Sequence, residues 1–442
     1  MSVSDLRKLN YEVWLDFIVT WKELLVKAVS LEDQVTNLRG RLLNYQKSTT
    51  TKLIKPMDFS KFTKRRIALK ILYTGWNYSG LARQDSSTCT IAENLITALY
   101  KCRLIEDPGA LEFAVCGRTD KGVSGLSQVV TITVRSNVHE GVGVIAPEDK
   151  SALCPEKLEV DYVLVANKNL PEDIRVLAWC PVPLEFSPRR HCLSRSYKYF
   201  FPAADLDIEL MQSASTKLIG LHDFRNFCSS QVNNGVVNHE RIIYEIKITD
   251  ESDYKMNPRR FCCLNIRGTA FLYHQIRCIA SLLFTIGRKI ESPEVISFVL
   301  LLNPRQILDD LLNVEKFPGK PQYQMAEPEP LLFFEPEFEN TEWQTSPTAQ
   351  EDIVKCMQKL WTQTAVKAKI TETMLEAVEK MFPECRQNNH LWAISREASL
   401  LGPKRKSILK RTTEDPLEEK IKRAEAKRPR KDGDYDKEDS DG

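Results

Sequence analysis

Ile67, Leu69, Ile71 and Tyr73 alternate with Arg66, Ala68 and Lys70, and a period of two suits a β-strand and no helix. The spacing predicts a strand half-buried on one face. Further strand-like runs follow at 128–134, 158–165, 173–180, 195–201, 240–249 and 260–267. Between and after these strands helical periodicity appears in the stretch opened by Thr90-Ile-Ala-Glu93, with Ile91, Leu95, Leu99 and Cys102 inward, and at 213–219, 270–286 and 293–302. Residues 137–157 read as an irregular surface insertion. Strands adjacent in sequence and broken by few helices predict an α+β fold, with a mixed, largely antiparallel sheet flanked by helices. At 442 residues the chain exceeds one compact core, so two lobes or one large domain with extensions are expected.

The segments around that body are patterned differently. Trp14, Phe17, Trp21, Leu24, Ala28, Leu31, Val35, Leu38, Leu42 and Tyr45 recur at alternating spacings of three and four. Residues 1–47 therefore read as a coiled-coil helix, with a homodimer as the expected consequence; one amphipathic helix packed on its own body has the same pattern. Residues 48–58 read as a linker, and the body begins near Phe59. Residues 336–400 read as a helical extension holding two amphipathic helices within 349–382. From 401 to 442, basic clusters such as Lys404-Arg-Lys406 and Lys427-Arg-Pro-Arg-Lys431 run into an acidic end. Like-charge blocks without apolar period predict a disordered tail, serving as a nuclear-localisation signal, an RNA arm or a solubilising end.

The formal net charge is only +2, so any nucleic-acid surface must be a local patch. Twelve cysteines include the adjacent pair Cys262-Cys263 but no Cys-x-x-Cys. That usage fits reduced thiols and neither a zinc site nor a disulfide framework. With no leader and no apolar run of membrane-spanning length, a soluble intracellular protein is expected.

Phe113-Ala-Val-Cys-Gly-Arg-Thr-Asp-Lys-Gly-Val-Ser124 holds the polar residues of most interest. Gly117 and Gly122 bracket Arg118, Thr119, Asp120 and Lys121 between predicted strands, a tight turn whose backbone can approach a neighbour closely. Spacing alone leaves two readings: a site, or a solvated hairpin with a surface ion pair. The wording is more specific. Cys-Gly-Arg-Thr-Asp-Lys-Gly-Val-Ser resembles the signature of the TruA family of tRNA pseudouridine synthases, whose essential aspartate follows Gly-Arg-Thr.

That resemblance covers roughly residues 60 to 335. It implies the pseudouridine-synthase fold, with lobes at about 59–170 and 171–335 around an RNA cleft, and Asp120 as nucleophile. Ser194-Arg-Ser-Tyr-Lys-Tyr199 resembles the family block ending in Arg-x-Tyr-x-Tyr, which makes Tyr197 the tyrosine that stacks beneath the target uracil. Phe271-Leu-Tyr-His-Gln-Ile-Arg277 resembles the block whose arginine pairs with the aspartate. Independently of any family, Arg277 falls on an apolar helix face, where a charge needs a buried partner. By the same resemblance Arg118 enters the RNA stem in place of the flipped uridine, and Lys121 and Arg241 touch RNA. Gly220-Leu-His-Asp-Phe also matches a family segment; there a helix start satisfied by His222 and Asp223 is expected. Met325-Ala-Glu-Pro-Glu-Pro-Leu-Leu-Phe-Phe334 resembles the terminal strand beside the site.

The implied partner is tRNA, with no metal, no small-molecule cofactor and no membrane, in nucleus and cytoplasm. The heptad, Asp58-Phe-Ser60 and Thr90-Ile-Ala-Glu93 look most like the eukaryotic branch acting on tRNA positions 38 and 39. The alternatives are the sister branch acting on other tRNA uridines or small nuclear RNA, an inactive RNA-binding protein on the same fold, and a coiled-coil scaffold. Leu81-Ala-Arg-Gln84 and Gly125-Leu-Ser127 depart from the family's wording.

Overall fold

The computed structural model describes residues 57–84, 88–109, 111–147, 151, 153–232, 235–251, 260–289, 306–385, 394–395 and 408–427. The coiled-coil helix expected at 1–47, nearly all of the linker at 48–58 and the helix expected at 293–302 lie outside them.

In chain order the elements are β1 (Thr63–Tyr73), α1 (Ile91–Lys101), β2 (Ala114–Val115), β3 (Ser124–Ser136), β4 (Val144–Ile145), α2 (Tyr162–Asn167) and β5 (Ile174–Pro181). There follow β6 (Cys192–Pro202), α3 (Ile208–Ser215), β7 (Gly220–Asp223), β8 (Glu240–Asp250), β9 (Phe261–Gly268), α4 (Gln275–Gly287) and α5 (Gln306–Leu312). The last are β10 (Leu331–Phe338), α6 (Pro347–Met381) and α7 (Leu417–Lys427).

Among the described residues the strands form a single sheet in the order β4-β1-β3-β10-β6-β9-β8-β7, with β2 on β3 and β5 on β1. Every pairing is antiparallel except β3 with β10, which meet in parallel at Ser124–Leu332 and Gly125–Phe333. The mixed, largely antiparallel α+β expectation therefore describes the architecture. Two apolar clusters flank the sheet. One gathers Ile67, Leu69, Ile71, Leu95, Leu99 and Tyr162 around α1 and α2; the other gathers Tyr197, Tyr199, Phe201, Ile279 and Phe284 around α4.

Several local expectations need correction. Strand β1 is buried on both faces over its central stretch, because Ile67, Leu69 and Ile71 enter the first cluster and Ala68 the second. The run at 158–165 is not a strand. Asp161 accepts a hydrogen bond from the Leu164 N–H at 2.9 Å and caps α2, and burial of Tyr162, Val163 and Ala166 overrides their β-branched neighbours. The helix expected at 213–219 lies earlier, since Asp207 caps α3 from Ile208. Gly220–Asp223 pairs with β8 as a strand rather than starting a helix.

Residues 349–382 make one continuous helix, not two. Ser346 caps it, and Ala349 is buried, whereas Val354, Trp361, Met374 and Met381 stand exposed. Residues 408–427, placed in a disordered tail by their charge, are ordered against the body instead. Ile408 is fully buried, Gln322 N–H donates to Thr412 O at 3.0 Å, and Glu418 of α7 meets Arg225 at 2.8 Å. Two buried apolar side chains, Ile408 and Leu417, and backbone pairing outweigh the like-charge pattern.

The first strand ends against the polar turn. Gly75 N–H donates to Ser124 Oγ at 3.0 Å, and a Cβ added at Gly75 would stand 1.9 Å from the Val123 carbonyl oxygen. Backbone on both sides leaves nothing soft to yield. Gly75→Ala is expected to cost about 3 kcal/mol or more, read as a lower thermal midpoint; an unchanged midpoint would mean that the 74–80 loop can slide off Val123.

Candidate active site

The turn carrying Asp120 joins β2 to β3 and is pinned from all sides. Tyr73 hydroxyl lies 2.8 Å from Thr119 Oγ1, Gln128 Nε2 donates to Gly117 O at 2.8 Å, and Leu81 N–H donates to Thr119 O at 3.2 Å. Gly80 and Gly122 both have positive φ, +111° and +85°, where a side chain would strain the backbone. Gly80 sits directly under Thr119 O, 3.0 Å from where a Cβ would be. The glycines are therefore needed for shape and for proximity.

Asp120 turns inward. Its side chain keeps 21% of its surface exposed, and Arg277 Nη1 donates to its Oδ2 at 3.2 Å across 157 residues of sequence. Arg277 comes from the first turn of α4, every residue of which is buried. Its Nε donates to Ala326 O at 2.8 Å while Ala326 N–H donates back to Arg277 O at 3.2 Å. The block at 325–334 thus holds the arginine before entering β10. The buried partner required for Arg277 is Asp120, and the solvated-hairpin reading fails.

Tyr197 reaches the same place through strand register. Across the sheet Gly125 of β3 faces Phe333 of β10, Phe333 faces Tyr197 of β6, and Tyr197 faces Ile266 of β9. The Tyr197 ring packs edge-on between Phe333 and Phe271, with centroids 5.1 and 5.2 Å away. Burial pushes the phenol well above its usual range, so it stays protonated at physiological pH.

Two residues unread in the sequence complete the frame. Arg195 is almost fully buried and ends on three backbone carbonyls: Thr269 at 2.6 Å, Arg189 at 2.8 Å and Cys116 at 3.1 Å. It ties β6 to the entry of the Asp120 turn and to the segment before α4. His274 places Nε2 at 3.4 Å from Asp120 Oδ2. It stands at φ +66° at the start of α4, which is why the helix begins at Gln275 and not at 270. Carbonyl partners and a left-handed backbone leave no mark in sequence spacing.

Arg118 and Lys121 are exposed on the turn. Arg189 and Arg190 lie on the loop before β6; burial and then repulsion from Arg118, Arg195 and Arg190 hold the Arg189 guanidinium below its usual range. Among the described residues no carboxylate forms a salt bridge with Arg118, Arg189 or Arg190. Arg241 is not brought here. It lies on β8 opposite His222, with Nη1 on Glu240 O at 2.7 Å.

The arrangement is a carboxylate held by a buried cation, an aromatic ring beside it, and arginines at the rim with no salt bridge among the described residues. It can present one oxygen to a ring-bearing, polyanionic ligand. Comparison with known proteins agrees. Residues 214–339 match the family model described as tRNA pseudouridine synthase. The tRNA pseudouridine(38/39) synthase of Bos taurus is 39% identical over 378 residues, covering 82% of this chain and 76% of that one. The protein of that description from Saccharomyces cerevisiae is 37% identical over 310 residues, 69% of this chain and 64% of its own. A tRNA pseudouridine synthase A of Methanosarcina mazei is 30% identical over 239 residues, 54% and 76%.

Arg195→Met should leave three carbonyls without their donor and lower stability by about 3–5 kcal/mol, measured as a fall in the thermal midpoint. A midpoint matching that of the parent chain would mean that solvent replaces the guanidinium.

Proposed function

This chain belongs to the TruA-type tRNA pseudouridine synthase family, and from that membership we propose that it isomerises uridine to pseudouridine at positions 38 and 39 of tRNA, in the anticodon arm. Support for the positions comes from relatives named tRNA pseudouridine(38/39) synthase. The observation that carries the chemistry is the contact of Asp120 with Arg277 on the glycine-framed turn.

The reaction breaks the glycosidic bond at N1 of uracil, turns the base and rejoins it to ribose through C5; C5 loses a proton and N1 gains one. Oxidation state is conserved, so a carboxylate that attacks ribose or base can carry the reaction. Arg277 is the cation that faces that carboxylate, donating from Nη1 to its Oδ2 at 3.2 Å. Tyr197 offers its ring to the uracil, and its neutral phenol adds no charge next to Asp120. Arg118 fills the stem position that the extruded uridine leaves, offsetting part of an unstacking cost of about a few kcal/mol. Arg189 and Arg190, beside Arg118, take backbone phosphates. Lys121 extends the same rim, and Arg241 reaches RNA only through a more distant part of the molecule. Two lobes form the cleft, and the heptad at 1–47 pairs two chains; nuclear and cytoplasmic residence accords with the basic clusters.

Asp120→Asn is expected to abolish isomerisation while tRNA affinity stays within about threefold, because an amide keeps shape and loses charge. Pseudouridine mapping in cells lacking the protein, complemented with either form, checks it. Loss at 38 and 39 restored only by the parent chain is the expected result; loss at other uridines would move the substrate to the sister branch, and rescue by Asp120→Asn would end the nucleophile assignment. Arg189→Ala should weaken tRNA binding and shrink the slope of log affinity against log salt by about 0.7–0.9. An unchanged slope would place Arg189 off the phosphate path.

A further inference from the structure

We propose that His274 is a positioning residue for this reaction: as a neutral imidazole it donates from Nε2 to Oδ2 of Asp120, leaving Oδ1 as the oxygen that meets the nucleoside. The inference rests on Asp120 being the reacting carboxylate and assigns which of its atoms reacts.

Two side-chain nitrogens converge on one oxygen, Arg277 as a hydrogen-bond donor and His274 by proximity. Arg277 Nη1 is 3.2 Å and His274 Nε2 3.4 Å from the same Oδ2, while among the described residues no hydrogen bond reaches Oδ1. A carboxylate hydrogen-bonded at one oxygen by Arg277, with His274 Nε2 standing against that same oxygen, is restricted in rotation about its Cβ–Cγ bond. The histidine contact is long, as such contacts are before a substrate tightens the site.

The tautomer follows from the two partners of the ring taken together. His274 Nδ1 lies 2.8 Å from Ser229 Oγ. A neutral ring has one donor and one acceptor nitrogen. With Nδ1 protonated, Nε2 would aim a lone pair at a carboxylate, so the Ser229 hydroxyl donates to Nδ1 and Nε2 carries the proton. Ser229 is itself held, its N–H donating to Tyr273 O at 3.0 Å, and the Tyr273 ring stacks on the imidazole with centroids 3.5 Å apart.

The groups facing the ring are Asp120, Arg277, Lys320 and Tyr273. Burial, helped by Arg277 and Lys320 and opposed by Asp120, brings the imidazole down to about 4. It is therefore neutral at any pH at which tRNA is modified, and supplies direction where Arg277 supplies charge. The position is one that a bulky residue occupies at a cost: φ is +66°, and strain of this kind collects where geometry is functional.

The test uses the full chain with transcribed tRNA, and reads single-turnover rate, tRNA dissociation constant and thermal midpoint. His274→Ala should slow the single-turnover rate by about 10²-fold at an unchanged dissociation constant. His274→Gln, whose amide nitrogen is a neutral donor of similar reach, should recover most of that loss. Ser229→Ala should slow the rate by about tenfold, since the ring then loses the hydrogen bond that orients it. Equal slowing by Ala and Gln would reduce His274 to a shape role and overturn the proposal, as would normal rates in both or a loss confined to binding. Asp120→Asn, run beside them, separates the two levels. If it is inactive while the His274 variants are normal, only this inference falls; if it is active, the reading beneath it falls too.

Discussion

A guanidinium inside an apolar helix is the constraint on which the site depends. Arg277 stands in α4, whose every residue is buried, and an uncompensated charge there would cost several kcal/mol, roughly 3–5 by analogy with broken buried pairs. The chain answers with one carboxylate and one carbonyl. Asp120 arrives from a turn 157 residues upstream, and Ala326 from the segment leading into β10. Folding α4 into the core therefore obliges the Asp120 turn and the 325–334 segment to meet it. The same contact that makes the helix tolerable places the carboxylate at the edge of solvent.

The sheet makes that meeting accurate. The short parallel contact between β3 and β10 joins the antiparallel half around β1 to the one around β6 and β9. Along that seam Gly125, Phe333, Tyr197 and Ile266 stand in one cross-strand row. A one-residue slip in any of these pairings would turn Tyr197 to the opposite face. Arg195, two residues before Tyr197, locks the register by holding carbonyls from three other segments. A lysine could not do this, because only the planar fork offers several donors in fixed directions.

What the sequence disclosed follows from which interactions leave a pattern. Asp120 was legible through the wording of its turn, which resembles a family signature, since the two glycines alone leave a solvated hairpin open; Arg277 was legible because an apolar helix surrounds it. Tyr197 needed a family block, since a half-buried aromatic in a strand is otherwise ordinary. His274 and Arg195 sat inside quoted blocks and passed unread: a left-handed φ and bonds to main-chain carbonyls have no residue code. The 158–165 run was misread because Val160, Tyr162 and Leu164 alternate, while the capping effect of Asp161 is a single side chain's. Residues 408–427 were misread for the opposite reason, their charge being plain and their buried anchors, Ile408 and Leu417, inconspicuous.

The rim and the centre of the site handle charge in contrary ways. At the centre, one cation and one anion meet, and a histidine kept neutral adds direction without disturbing that balance. At the rim, Arg118, Arg189 and Arg190 crowd together with no carboxylate bridging them among the described residues, and their mutual repulsion is felt by Arg189 itself. That repulsion destabilises the free protein, and any polyanion that relieves it binds the folded chain alone, so its binding free energy adds to folding. The net charge of +2 forbids a strong long-range field. Selectivity for a folded RNA must then come from where these few arginines stand relative to Asp120, rather than from overall attraction.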